Sequence, residues 1–515
     1  MKKITLLSFS FFLILCLSAQ DVKQGLKIPA SYDRSSITFV LLNFPNDYHS
    51  RDILSKINML AYGDKFYNNN VSYLTLQSPF NRSELPANKI GLIKQSLENN
   101  KIANEIIDKW YSTTNEGYMS LDLIHKRGMF NATDATFLLA KTTKRGNAEL
   151  EDYGNRLINK SYILVLDYQN VLTMSEAKRT DSRGWQANVT AYLFKLDYNE
   201  EVQKKVYDLW IYEDDPQELK EKKKTDLKQL VIPINFIAQT NRLIDASQKI
   251  QRTTLERVLF PDKSQEELLD DLVQKGYDEN LYSLEKVVED FKVKTTISET
   301  KPLKAKIGKK EGLKTDNRFF AYEYILNENN NTTRQKYRGV IRATSKITDN
   351  RQVATGNMEK TVFYQTAGKR LEVGYLLQQR NDSGIEVSLG LEYGDVNGYY
   401  GRIDYRLGRY IGVRSLFAYL EFALDGDDPT LSRYGAGLAK GIQLSRNIEI
   451  RPYIGIGNQK YIGEEYADEY YKVGVNLSIN ILRNVQLYTG CGYYIFVDSD
   501  YYNGLAISGG LKFGF

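Results

Sequence analysis

From about residue 381 to the C-terminus, apolar side chains recur at every second position. In the last segment Leu505, Ile507, Gly509, Leu511, Phe513 and Phe515 share one face, and Ala506, Ser508, Gly510, Lys512 and Gly514 the other. Tyr471 to Ile481 oppose Lys472, Gly474, Asn476, Ser478 and Asn480 in the same way, and Ile448 to Ile456 oppose Glu449, Arg451, Tyr453 and Gly455. Segments beginning near Ile385, Tyr399 and Leu416 alternate too, and those over 432–444 and 485–497 do so more loosely. Successive strand residues point to opposite faces, so this period marks β-strands with two different environments. A β-sandwich would also alternate. The connections decide between the two. Ser445-Arg446-Asn447 and Leu482-Arg483-Asn484 are tight, whereas Gly426–Leu431, Gly463–Glu469 and Asp498–Asn503 are long. That asymmetry, with Tyr near strand ends, predicts a transmembrane antiparallel β-barrel of eight strands. Leu371–Gln379 alternates as well. It belongs to the preceding region if the strand number is eight, and ten strands would require Thr361–Ala367 in addition.

The strand pattern and the terminal Gly514-Phe515 make this stretch resemble small outer-membrane barrels of the OmpA/OmpX kind, over roughly the last 30% of the chain. The resemblance implies that Phe515 is read by the barrel-assembly machinery; packing against lipid is its plain alternative. Lys440 breaks the pattern, because it falls on the apolar face between Leu438 and Ile442. A Lys at mid-membrane costs about 2–4 kcal/mol, so a bulge or register shift is expected there.

The inward phase of the alternation holds Glu386, Glu392, Arg402, Asp404, Arg406, Glu421, Glu449, Arg451, Lys472 and Lys512, with Gln443 and Gln486. An eight-stranded barrel is only wide enough for side chains to fill it. Unpaired charge in that space is prohibitively costly, and five acids against five bases can neutralise one another. The list therefore reads as a structural ion-pair plug, with an ion path as the competing reading.

Ahead of the barrel, Lys2 and Lys3 precede an apolar run from Ile4 to Leu17, then Ser18-Ala19-Gln20. This is the layout of a secretory signal peptide over residues 1–19, and the run is too short to span a bilayer as a helix. A lipoprotein reading through Cys16 is disfavoured by Leu15 where a small residue is wanted. Residues 20–290 read as an α/β region, expected in the periplasm. Ser36–Leu42 and Tyr162–Leu166 are apolar runs suited to buried strands, and Trp185–Leu196 is a third strand. Asn131 to Asp134 can cap a helix reaching about Ile158, and Ser264-Gln-Glu-Glu267 is a capping box opening a helix expected to end at Gly276. Residues 291–380 read as a small SH3-like or β-barrel module. Its strands are expected over Phe291–Ile297, Leu303–Ile307, Arg318–Leu326 and Tyr337–Ala343, with a hairpin loop at Asn327–Thr333 and a tight turn between Gly308 and Gly312.

Composition sharpens this division. The 515 residues average a mean hydropathy of -0.45, which excludes a bundle of membrane helices. Yet residues 367–515 hold 23 of the 36 Gly and 18 of the 38 Tyr, and neither His49 nor His125. Barrel hydrolases rely on a His base, so the barrel is read as non-enzymatic. Two Cys and two His give no disulfide framework or cofactor site, and Cys491 reads as an apolar filler on the lipid side. Asp47, His49, Asp52 and His125 fit no metal-ligand spacing. Ser283-Leu-Glu-Lys286 lacks its companion Lys-Thr-Gly and is a chance match. A net charge of +5, mixed along the chain, excludes a nucleic-acid partner, and the run Lys220–Lys224 reads as a solvated face. The reading that follows is an outer-membrane protein whose barrel anchors a periplasmic interaction or assembly platform. Its partners would be outer-membrane lipid, the barrel-assembly machinery and an envelope protein. A narrow pore or transporter component gated by the periplasmic region is the alternative.

Overall fold

The computed structural model describes residues 34–515 apart from 64, 70, 72–74, 83–85, 113–116, 122, 124–155, 254–256, 258–260, 328–331, 352–358, 464–466 and 498–502. The helix expected from Asn131 to about Ile158 falls largely outside the described residues, as does His125.

The N-terminal region is a three-layer α/β structure. Its sheet runs β2 (Tyr67–Asn68), β1 (Ser36–Asn43), β4 (Ser161–Thr173), β5 (Ser182–Leu196), β6 (Ile234–Lys249), with β3 (Thr75–Gln77) also on β1. The β1 pairings are parallel, and β4–β5–β6 are antiparallel. β1 is buried along its whole length because both faces are covered, which is why its sequence is a continuous apolar run rather than an alternating one. Helices α1 (Ser50–Lys56), α2 (Lys89–Asn99), α3 (Ile102–Trp110), α4 (Glu200–Asp208), α5 (Gln217–Gln229) and α6 (Gln265–Val287) fill the outer layers. One core joins Val40, Ile163 and Phe194 to Ile106 and Trp110; the other joins Phe39, Leu164, Val189 and Leu193 to Leu268 and Leu272 of α6. The Ser264–Glu267 capping box opens α6 as the sequence predicts. The helix does not stop at Gly276 but runs on to Val287. Tyr277, Leu281 and Leu284 extend its buried stripe, which outweighs the roughly 1 kcal/mol that Gly costs a helix. Gly276 is instead a contact residue, because a Cβ there would lie 2.9 Å from the Tyr168 ring.

The small module is a closed barrel of six strands in the order β10 (Thr332–Ala343), β11 (Thr361–Gly368), β8 (Leu303–Ala305), β7 (Lys294–Thr300), β12 (Leu376–Gln379), β9 (Arg318–Asn327). Leu376–Gln379 pairs with β7 and β9, so the segments that could have made a ten-stranded membrane barrel close this one instead. The β9–β10 ladder extends to Asn327 and Thr332, which shortens the expected hairpin loop.

The C-terminal barrel comprises β13 (Ile385–Gly394), β14 (Gly398–Tyr405), β15 (Leu416–Leu424), β16 (Leu431–Lys440), β17 (Ile442–Ser445), β18 (Ile448–Tyr461), β19 (Asp468–Asn480), β20 (Val485–Phe496) and β21 (Gly504–Gly514). β17 continues β16 past Gly441 and pairs with the same neighbour, so the closed sheet has eight walls, with β13 sealed against β21 and β16 against β18. Leu389, Leu420, Ile454, Val473, Leu487 and Ile507 point outward and are exposed, while the charged phase is buried. The barrel is thus inside-out relative to a soluble protein. Lys440 needs no register shift. The ladder stays in register from Ala439 to Ile442, and the irregularity falls later, between Gln443 and Ser445. Lys440 pairs with Leu416 at the start of β15, near the rim, and its amine donates to the Arg414 carbonyl. The loop rhythm also departs from expectation once at each end. The 406–415 connection on the short-turn side carries a helical turn at Gly408–Ile411, and the 395–397 connection opposite is tight.

Part of the surplus of Gly and Tyr has a common cause. Tyr419 lies over Gly437 and Gly455, Tyr453 over Gly474 and Gly492, Tyr470 over Gly435 and Gly457 of neighbouring strands. These rings fill the lumen that the missing side chains leave open, a form of aromatic rescue. Many of the Tyr are therefore luminal rather than interfacial, and the girdle reading applies only to outward ones such as Tyr393, Tyr399 and Tyr471. Gly474→Val would drive a side chain into the Tyr453 ring and the Cys491 carbonyl. It should destabilise the barrel by about 3 kcal/mol and abolish the compact mobility of the unheated protein on SDS gels.

Candidate functional site

The barrel interior is filled by two ion-pair clusters. Toward the long loops, Lys472 on β19 donates to Glu392 (3.0 Å) on β13 and Glu421 (3.1 Å) on β15. Both carboxylates also accept from tyrosines, Glu392 from Tyr494 (2.9 Å) and Glu421 from Tyr400 (3.0 Å). Toward the short turns, Arg451 bridges Glu386 (2.8 Å) and Glu449 (2.5 Å), and Arg406 reaches Glu386 (2.5 Å). Arg402 clasps Asp404 (2.7 Å), with its guanidinium 3.6 Å over the Tyr419 ring. Phe417 lies between Arg451 (3.8 Å) and Arg406 (4.4 Å), so charge and aromatic surface alternate up the lumen. Lys512 is the exception among the ten inward charges. Its amine donates to Ser478 (2.9 Å) rather than to a carboxylate among the described residues. Gln443 donates to the Ser445 carbonyl near the rim, and Gln486 pairs across the ladder with Lys512. Charge-assisted bonds of this kind are short and directional, and each member is expensive to leave alone.

Sequence reasoning missed that the lower cluster does not end at the barrel. Asp316, in the module, accepts from the Ser415 backbone N–H (2.7 Å) and from Tyr364 Oη (2.8 Å), and lies 3.5 Å from Arg406. Asp316 and Ser415 both adopt left-handed backbone, φ 64° and 52°. Asp382, in the link before β13, accepts from Arg342 of the module and from Arg409 (3.1 Å) of the first turn. All three connections on the short-turn side touch the module. Asn447 accepts from Gly368 N–H (2.7 Å), Asn480 donates to the Thr366 carbonyl (2.7 Å), and Arg483 lies 4.9 Å over the Tyr337 ring. The six-stranded barrel is seated across the mouth of the eight-stranded one. No local pattern marks Asp316 or Asp382, since their partners lie on other strands of the folded chain.

Burial opposes the charged form of Asp382, but Arg342 and Arg318 prevail and hold its carboxyl below the usual range. A depressed folded-state pKa gives stability that is present above the unfolded value near 4 and is lost as pH falls through the folded one. The Asp382 contact should therefore persist down to about pH 4 and fail only in stronger acid.

Elsewhere, the candidates for chemistry are occupied. Ser283 donates to the Glu279 carbonyl (2.7 Å) and accepts from Arg242 (2.8 Å). His49 meets Asp52 (2.7 Å) and Glu176 (3.1 Å), while Asp47 turns to Arg82 (2.6 Å). Lys220–Lys224 lies along α5. Among the described residues no group of three or more His, Cys, Asp or Glu is placed to hold a metal.

Two variants report on the network. Arg451→Met alone strands Glu449 and leaves Glu386 to Arg406, and should cost about 3–5 kcal/mol, read by guanidinium unfolding in micelles; adding Glu449→Gln should recover part of it. Asp316→Ala should weaken docking by about 2 kcal/mol, so that the Ser415 amide exchanges roughly 30-fold faster.

No protein-family model matches the chain, and no curated protein matches it. Solved structures do, over the barrel. The N-terminal β-barrel domain of Pseudomonas aeruginosa OprF aligns at 12% identity, covering 26% of this chain and 100% of that one, with a TM-score of 0.22. Neisserial surface protein A aligns at 16% identity over 26% and 100%, TM-score 0.20, and Ail of Yersinia pestis at 14% over 25% and 98%, TM-score 0.19. By its own strand count, closure and inverted polarity, the C-terminal part of this chain is an eight-stranded antiparallel barrel of the OmpA/OmpX architecture.

Proposed function

We propose that the protein is a non-enzymatic outer-membrane anchor that holds a periplasmic α/β platform at a fixed position under its barrel. The observation that carries this reading is the seating of the module on all three short connections through Asp316, Asp382, Asn447 and Asn480. An anchor joined by a free linker would place its cargo anywhere within reach, whereas this one sets both position and orientation. The module is in turn joined to the α/β region through the buried Arg34–Glu311 pair (2.5 Å), so contacts link the three parts in turn. The platform needs no passage across the membrane if the short turns face the periplasm, the side on which both Ile385 and Phe515 lie. Phe515 closes the seam, its N–H donating to Ile385 O (2.9 Å), and it remains half exposed to lipid. Both features suit a residue read by the barrel-assembly machinery before the seam closes. The filled lumen and the covered mouth argue against a pore. The partner would be an envelope protein bound to the α/β region.

Protease added to intact cells should leave residues 34–380 uncut and should degrade them after permeabilisation; cleavage in intact cells would overturn the placement. In planar bilayers the full-length protein should give no stable conductance, and a large stable conductance would overturn the anchor in favour of a channel.

A further inference from the structure

The two ends of the barrel carry opposite charge. The connections on the short-turn side contain Arg406, Arg409, Arg414, Arg446 and Arg483 and no Asp or Glu. Among the described residues, those at the other end hold Asp395, Asp425, Asp427 and Asp428 and no Lys or Arg. Arg406 is turned into the lumen and Arg409 is bound to Asp382. The remaining basic side chains gather where the barrel meets the module. Lys440 donates to Arg414 O, Arg414 lies 4.4 Å over the Tyr364 ring, and Arg483 lies over Tyr337. Arg446 is exposed in the two-residue turn whose Asn447 takes the Gly368 N–H, and Lys369 and Arg370 follow Gly368, also exposed.

This basic collar borders the outward apolar band. Leu444 on a strand end, Ile481 and Leu482 in the last turn, and Tyr410 and Ile411 in the first are all more than half exposed. So is Val373 of the module, three residues after Arg370. Cations interleaved with exposed apolar side chains, continuous with a lipid-facing wall, match the layer where phosphate headgroups meet acyl chains.

We infer that this collar binds the headgroups of anionic phospholipids in the leaflet on the short-turn side, and that the module contributes Lys369 and Arg370 to that contact. The inference rests on the membrane-anchor reading and adds the headgroup class, the leaflet and the module's part in it. The acidic loops at the far end disfavour the same lipid in the other leaflet. The collar thereby fixes the insertion depth of the barrel and ties the docked module to the bilayer surface.

The test uses the full-length protein in phosphatidylcholine bilayers carrying trace spin-labelled phosphatidylglycerol or phosphatidylcholine, read by the motionally restricted fraction of each label. At low salt the anionic label should associate at least about threefold more strongly. The preference should fall to about one in 1 M salt. It should fall likewise in Lys369→Gln/Arg370→Gln/Arg446→Gln, whose substitutions lie outside the docking contacts; retained heat-modifiable mobility would show that this variant folds. Asp427→Asn/Asp428→Asn at the opposite end should leave the preference in place. Equal association of the two labels at low salt, or a preference the triple variant does not reduce, would overturn the collar while leaving the anchor intact. Absence of restricted lipid with either label would overturn the anchor reading and the collar with it.

Discussion

An eight-stranded barrel has an interior too narrow for anything but its own side chains, and that constraint organises the C-terminal quarter of this molecule. Water cannot solvate the inward charges, so each must find a counter-charge or a hydroxyl. The solution is distributed: Glu386 takes two arginines, Lys472 takes two glutamates, and tyrosines supply the remaining donors. The same narrowness explains the glycines. Rings as large as Tyr419, Tyr453 and Tyr470 fit only where the facing strand offers no Cβ. A filled, neutral lumen makes the barrel rigid, and a rigid barrel is a sound base on which to seat another domain.

The seating follows from the same electrostatics. Arg406 is the last base toward the short turns, and Asp316 of the module approaches it from outside while accepting the Ser415 amide. The ion-pair system therefore does not stop at the rim but continues into the module, through Asp382 and Arg342. A second domain held in this way has little freedom to tilt, which distinguishes the arrangement from two domains joined by a flexible tether.

Two local rules yield to the fold. Gly276 looked like a helix stop, but the stripe beyond it buries enough surface to carry α6 on to Val287. Lys440 looked like a defect at mid-membrane, yet the stagger of the strands brings it to the rim, where Arg414 O receives it. In both cases a local rule yielded to a position that exists only in three dimensions. Tyr near strand ends points to the interface, yet Tyr453 shares the inward phase with Glu449 and Arg451 and is luminal.

The sequence by itself determined the strands, their faces and the balance of inward charge, because alternation has a period of two residues and reports directly on the environment of each face. Composition separates a polar, charged N-terminal part from a C-terminal stretch rich in Gly and Tyr. Only the tertiary structure decided which charges meet. Lys472 and Glu392 are 80 residues apart, Ser415 and Asp316 99, and neither separation leaves a local trace. Barrel closure sets the first pairing and the docking of a second domain sets the second. Both are fixed by stagger and shape that no window of neighbouring residues contains.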